Sequence, residues 1–344
     1  MITRIAVLMG GRSSEHEVSL ASAAAVVAAL DGARYEVIPV LISSEGGWSV
    51  DGEPVAVVPG PDGTARLASL AGGPDRAIDV VFPVLHGPHG EDGTVQGALE
   101  TAGVPYVGAG VAASAVAMDK ALFKVFLEHS GIPTPEHCVV TAAEWATAPG
   151  AARARVAEMV GYPAFCKPAR LGSSVGISPV PDAAALDASL ELAFRHDPKA
   201  LIERAVSGRE VEVGILDGDV PLASPVGEIT FDGDWYDYDT KYVPGRSSLQ
   251  VPADLPPATA ARARELALRA FAAVDCAGLA RVDFFVEEST GEVLLSELNT
   301  MPGFTPTSVY ARLMEAAGIP YPDLVSRLID LGVARAAEAR RYRS

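Results

Sequence analysis

Apolar runs of strand length alternate with helical patterns through the first third of the chain. Ile2–Met9 is an apolar run, and Val18–Leu30 is an alanine-rich stretch opened by Ser14-x-x-Glu17, the spacing of a capping box. Tyr35–Ile42 and Ile78–Leu85 follow as further apolar strands. Buried strands separated by helices predict βαβ units in a parallel, doubly wound sheet, with ligands at the carboxyl ends of its strands. Those ends carry two Gly-rich, charged segments, GGRSSEHEVS (10–19) and HGPHGEDG (86–93).

The pattern predicts one helix from Ala115 to Ser130, holding Asp119 and Lys120 and stopped by Gly131-Ile132-Pro133-Thr134-Pro135, a domain boundary. A second α+β unit then runs through the strand Ala164–Pro168, the loop LGSSVG (171–176), a helix at about 182–195 and the strand Ala200–Val206. Strands Glu210–Leu216 and Leu222–Ile229 open the last part, followed by a polar segment, Asp232–Gln250, too long for an inert connection and read as a lid. A helix from about Ala258 to Val274, a hairpin of Leu279–Glu287 with Val293–Leu298, and two amphipathic helices complete the chain. The resulting fold class is α/β and α+β, in three units of residues 1–118, 119–205 and 206–344.

Charge narrows the choice of partners. Lys plus Arg number 27 against 44 Asp plus Glu, a net charge of −17, which repels nucleic-acid backbones and anionic lipid. Three scattered cysteines, Cys138, Cys166 and Cys276, write neither a disulfide framework nor a zinc site. No apolar run approaches a membrane span, and a cytoplasmic location is expected. Only five of the basic residues are lysines, at 120, 124, 167, 199 and 241. Lysine kept against such an arginine bias marks a position where a compact point charge is wanted in place of a planar fork, or else arises by chance.

The hairpin carries the sharpest local chemistry. A turn near Thr290 pairs Asp283 with Glu297 and Arg281 with Asn299, all on one face. Opposed carboxylates destabilise a sheet unless a cation lies between them. Oxygen donors without His or Cys select Mg²⁺ or Mn²⁺; alternatively Arg281 neutralises the acids in a plain ion-pair cluster. LGSSVG, following Lys167-Pro168, is either a phosphate nest or a turn, and Glu15 and His16 either serve a site or complement the dipole of the first helix. Gly108-Ala109-Gly110-x-x-Ala113 imitates a dinucleotide fingerprint and keeps a nicotinamide-dependent protein open as an alternative. Neither GxxxxGK[ST], HExxH nor GxSxG occurs.

Read in order, GGRSSEHEVS, HGPHGEDG, MDK, FCKPARLGSSVGIS, YDYDTKY, RVDFF and SELNTMPGFTPTS resemble the D-alanine:D-alanine ligases of the ATP-grasp superfamily from residue 10 to residue 308. The resemblance implies a Rossmann-like N-terminal domain followed by a two-subdomain ATP-grasp fold. The implied reaction joins two D-alanines through an acyl phosphate, with ATP as phosphoryl donor and two Mg²⁺ or Mn²⁺ ions as cofactors. Related ligases of D-lactate or D-serine, and a nucleotide-binding protein without catalysis, are its alternatives. By the same resemblance Glu15 and His86 receive the first D-alanine, Ser173 and Tyr242 close the phosphate loop over Glu15, and Arg281 with Gly303 stabilises the oxyanion. Lys120, Lys167, Ser173, Ser174 and Lys241 match the phosphate ligands, and Glu203, Ala205, Val206, Glu210 and Phe285 the adenine and ribose site. Lys241 is shared with the substrate, Ser308 binds the second D-alanine, and Asp283, Glu297 and Asn299 hold the metals. That leaves Lys124 and Lys199 as incidental. A homodimer without nucleic-acid or membrane partners is implied.

Overall fold

In the computed structural model, the described residues are 2–60, 64–231 and 247–342. Three sheets succeed one another along the chain. The first has β1 (Thr3–Gly10), β2 (Tyr35–Ile42), β3 (Trp48–Val50), β4 (Glu53–Pro59), β5 (Ala65–Ser69), β6 (Arg76–Ile78) and β7 (Val80–Pro83), in the order β6-β5-β4-β3-β2-β1-β7. Only β2, β1 and β7 run parallel, linked through helix α1 (His16–Ala29); β3 to β6 form an antiparallel meander with short connections. The predicted parallel sheet is thus its core, and the meander within residues 48–78 is an addition that the apolar pattern did not mark.

Both faces of the parallel core are covered, which is why its strands read as unbroken apolar runs. Ile5, Val7 and Phe82 pack against Leu324, Val325 and Leu328 of the last helix, Tyr321–Arg341. Ala6, Leu8 and Val81 face the other way, onto Val95 and Leu99 of α2 (Thr94–Ala102). The end of the chain therefore returns to cover its beginning.

Between the first sheet and the second lie α3 (Val111–Met118) and α4 (Lys120–His129). They are two helices where the pattern predicts one, because Asp119 leaves helical geometry and accepts hydrogen bonds from the Ala121 and Leu122 N–H groups, both at 3.1 Å. Such a cap both starts α4 and ends α3.

The second sheet comprises β8 (His137–Thr141), β9 (Ala164–Pro168), β10 (Ser178–Val180) and β11 (Lys199–Arg204), ordered β10-β9-β11-β8. Its core face, with Cys166, Ala200 and Ile202, packs on α5 (Pro149–Met159) and α6 (Leu186–Phe194). Period-two alternation puts Lys167 and Glu203 on the opposite face.

The third sheet has β12 (Gly208–Leu216), β13 (Leu222–Ala223), β14 (Gly227–Phe231), β15 (Ser247–Gln250), β16 (Leu279–Glu287) and β17 (Val293–Asn299). The helix Pro257–Ala273 and residues Ala113, Ala117, Phe123 and Leu127 of α3 and α4 fill its core side. The predicted lid segment ends in order, since β15 pairs β14 with Glu228 opposite Gln250; Asp232 to Arg246 lie outside the described residues.

Candidate active site

A cleft of about 930 Å³ opens where the first and third sheets meet the loop after β9. Glu15 enters it from the start of α1 and His86 from the loop after β7. The two loops are tied directly: Ser13 Oγ donates to the His86 carbonyl at 2.7 Å and accepts from the Glu15 N–H at 3.1 Å. The predicted capping box does not form, because α1 begins at His16 with no side-chain cap and Ser13, not Ser14, makes the local bonds. Gly87 is required beside it: its φ is +72°, and a Cβ there would stand 2.3 Å from Glu15 Oε2.

Glu15 in turn accepts a hydrogen bond from Ser173 Oγ, in the loop between β9 and β10. That loop turns through two left-handed residues, Ser173 at φ 51° and Ser174 at φ 58°. Non-glycine residues seldom hold this conformation without support from their surroundings. Support comes from Lys120, whose Nζ donates to the Leu171 carbonyl at 2.8 Å and lies 3.6 Å from Glu297 Oε2. The cation thus bridges the loop after β9 and the acidic hairpin.

The hairpin has the predicted register where it matters: Arg281 opposite Asn299 and Asp283 opposite Glu297. Beyond Asp283 the register slips by one, so Phe284 faces Leu295 and Phe285 faces Leu294. Val282, Phe284 and Val286 point into the core, leaving Arg281, Asp283 and Phe285 on the other face. Arg281 grips Asp283 through two hydrogen bonds, 2.8 and 2.7 Å, and Asn299 Nδ2 adds a third at 3.0 Å. Glu212 Oε2 lies 3.1 Å from Arg281 Nε. Burial opposes the guanidinium charge, but Asp283 and Glu212 hold its pKa well above the ordinary value.

Among the described residues no three His, Cys, Asp or Glu side chains stand together as a metal cluster. The hairpin donors are two carboxylates and an amide, all oxygen, which suits Mg²⁺ or Mn²⁺ and not zinc. As ion-pair partners, Lys120 and Arg281 occupy the same carboxylates.

Of the residues singled out by sequence, Glu15, His86, Lys120, Ser173, Arg281, Glu297, Asn299, Gly303 and Ser308 line the cleft. Gly303 sits close to Ser308, a Cβ there lying 3.3 Å from its Oγ. Lys167, Ser174, Glu203, Ala205, Val206, Glu210, Phe285 and Asp283 do not line it. Glu210 pairs with Phe285 across β12 and β16, and Lys167 Nζ donates to Glu203 Oε2 at 2.5 Å. Lys241 and Tyr242 lie outside the described residues.

Four charged groups, Glu91, Glu212, Lys124 and Lys199, are engaged in ways that the sequence expectations do not include. Glu91 accepts from the Gly87 N–H at 2.7 Å and from the Met301 N–H at 3.0 Å, and burial, with Glu15 nearby, lifts its pKa to about 8. It lies in the Gly-rich, charged HGPHGEDG segment, but nothing in a sequence distinguishes a desolvated carboxyl from a solvated one. Glu212 follows Glu210 at the two-residue spacing of a strand face, a signal available in Glu210-Val211-Glu212-Val213. Lys124 is not incidental: its side chain is 1% exposed and forms an ion pair with Glu203 at 2.5 Å. Lys199 likewise pairs with Asp119, the cap of α4. His86 is held neutral-leaning, its pKa lowered by burial, with Nδ1 at 2.9 Å from the Met301 carbonyl and Nε2 at 3.1 Å from Ser22 Oγ.

Known proteins match this chain along nearly its full length. Residues 4–109 match the family described as D-ala D-ala ligase N-terminus, and residues 126–330 match D-ala D-ala ligase C-terminus. A D-alanine--D-alanine ligase of Deinococcus radiodurans is 52% identical over 341 residues, covering 97% of this chain and 99% of the relative. One from Heliobacterium modesticaldum is 45% identical, covering 98% and 96%. Among solved structures, the D-alanine-D-alanine ligase of Coxiella burnetii superposes with a TM-score of 0.87 at 33% identity, covering 99% of this chain and 96% of that one. The VanG D-Ala:D-Ser ligase of Enterococcus faecalis gives 0.87 at 34%, covering 96% and 100%. With both halves matched, and the site residues falling where those halves meet, the chain belongs to the D-alanine–D-alanine ligase family.

Proposed function

We infer that the protein joins two D-alanine molecules into D-alanyl-D-alanine, with ATP converted to ADP and phosphate, as a step in making a peptidoglycan precursor. Family membership over nearly the whole chain carries this reading, and the hydrogen bond that ties Ser173 to Glu15 supports it. The carboxylate of the first D-alanine attacks the γ-phosphorus of ATP, and ADP leaves. The amine of the second then attacks the acyl carbon, loses a proton and expels phosphate.

In this reading the roles divide among the residues of the cleft and their neighbours. Glu15 receives the ammonium of the first substrate, with neutral His86 beside it. Lys120 and Lys167, with Ser173 and Ser174, receive the phosphates, and the held guanidinium of Arg281 with the Gly303 N–H offsets charge on the tetrahedral oxyanion. Ser308, which already accepts from the Thr305 N–H at 3.0 Å, faces the second carboxylate. Lys241 and Tyr242 would complete the closure from the segment between β14 and β15. Glu203, Ala205, Val206, Glu210 and Phe285 border the nucleotide. Asp283, Glu297 and Asn299 would hold Mg²⁺ or Mn²⁺, two ions, which offset the crowding of negative charge during phosphoryl transfer. Arg281 and Lys120 must then yield the carboxylates that they pair with. We assign the three units 1–118, 119–205 and 206–344 as the N-terminal domain and the two ATP-grasp subdomains.

The D-Ala:D-Ser ligase superposes as well as the D-alanine enzyme does, so backbone similarity alone does not choose the second substrate. Product identification does. Incubation with ATP, Mg²⁺ and D-alanine should release phosphate and yield the dipeptide, and D-serine or D-lactate in excess should not displace D-alanine as the second substrate. A predominantly mixed product, or no phosphate release, overturns the assignment. Among the described residues no helix is long and apolar enough to cross a membrane. The family likeness further supports a cytoplasmic homodimer, which sedimentation would test.

A further inference from the structure

Lys124 is the only lysine or arginine among the described residues that is buried. Its ammonium has three partners on three elements: Glu203 Oε1 of β11 at 2.5 Å, Thr134 Oγ1 of the connection before β8, and the Leu295 carbonyl of β17 at 3.3 Å. Two hydrogen-bond acceptors and a carboxylate converge on one compact ammonium, an arrangement that suits a point charge better than a planar guanidinium fork. In a chain that uses arginine by default, this is a position where lysine has a physical reason to persist.

Glu203 stands between two cations. Lys124 takes one oxygen and Lys167 the other, the latter at 2.5 Å. The carboxylate is 2% exposed, so it cannot turn to water if a partner departs. Lys167 is the partner that has somewhere to go, because its other electrostatic neighbours are Glu297 and Glu210, at the acidic edge of the site. An arriving triphosphate competes with Glu203 for it.

We propose that Lys124 is a positioning residue for nucleotide binding: it is the resident counter-ion of Glu203, so that Lys167 can leave the carboxylate for the phosphates of ATP. This rests on the reading that Lys167 faces those phosphates. Without Lys124, Glu203 would have Lys167 as its sole cation and would hold it against the nucleotide. The tie to Leu295, two residues before Glu297 on β17, also seats the strand that carries the acidic pair.

The test compares Lys124→Met, Glu203→Gln, the double variant and Lys167→Ala, measuring KM for ATP, KM for D-alanine, kcat and melting temperature. Lys124→Met should raise KM for ATP by about tenfold or more, the scale of an uncompensated buried charge, with KM for D-alanine nearly unchanged. Adding Glu203→Gln removes the competing charge, so the double variant should bind ATP better than Lys124→Met alone and melt higher. If Lys124→Met does not fold, folding of the double variant supports the proposal and its failure overturns it. An unchanged KM for ATP in Lys124→Met, or a double variant no better than the single, overturns it too. Should Lys167→Ala leave KM for ATP unchanged, the phosphate placement itself falls, and the role of Lys124 with it.

Discussion

Ser173 Oγ donates a hydrogen bond to Glu15 Oε1 across 158 residues of sequence, joining the Gly/Ser loop of the second sheet to the start of the first helix of the chain. A substrate ammonium held by Glu15, as proposed, would sit beside this loop.

Ser173→Ala should loosen that cover. One lost hydrogen bond to a charged group is worth about 1.5–3 kcal/mol, so turnover should fall by roughly tenfold to a hundredfold. The diagnostic is the ratio of phosphate to dipeptide, which should rise as water reaches the acyl phosphate. An unchanged ratio would show that the contact has no part in excluding water.

Glu297→Gln removes one of the two opposed carboxylates of the hairpin and leaves Lys120 without its partner there. Activity should drop by more than about a hundredfold through lost metal binding. Mg-nucleotide should raise the melting temperature of the wild type by linkage and do so much less in the variant. Equal shifts, with activity kept, would remove the metal assignment.

The lysines separate into two sets. Lys120→Arg and Lys167→Arg should slow the reaction strongly, because a forked cation misplaces charge at a site that needs it positioned closely. Lys199→Met should instead act on stability, lowering it by about 1–2 kcal/mol, since it pairs with the carboxylate that caps α4. Denaturant melts and initial rates on the same preparations distinguish the sets, and a Lys199→Met variant as stable as wild type would sink the second.

Glu91 makes stability depend on pH in a defined direction. Burial raises its pKa from the ordinary 4.5 to about 8, so between those values the folded state holds a proton that the unfolded state has released. Stability then falls as pH rises through that window. Glu91→Gln should flatten this slope by about one proton in urea unfolding at several pH values between 4.5 and 8. Parallel curves for wild type and variant would show that Glu91 is ionised throughout.

How legible the site was depended on what each residue signals locally. The pair Asp283–Glu297 was readable because strand alternation and a short hairpin determine which residues oppose each other, and the one-residue slip occurs beyond them. Glu15, His86 and Ser173 were placed by the order of motifs, not by pattern, since a helix start and a Gly/Ser turn look alike with or without a ligand. Lys124 was misread because nothing within its helix shows that Glu203 and Leu295 arrive from other sheets to bury it. The break at Asp119 was hidden by apolar residues on both sides, which continue one helical pattern across two helices.

That break has a consequence for how the segment can vary. Asp119 starts α4 at a place where its carboxylate also meets Lys199 of β11, and Lys120 and Lys124 follow one helical turn apart, the first reaching the phosphate loop and the second the buried carboxylate. The helix is a ruler between two poles of the site. Its outward residues Leu122, Val125 and Phe126 are exposed and can change with little effect. A single inserted residue between the lysines would rotate one against the other by about 100° and carry a cation out of its pocket. Natural variation here should be free in composition and closed in length.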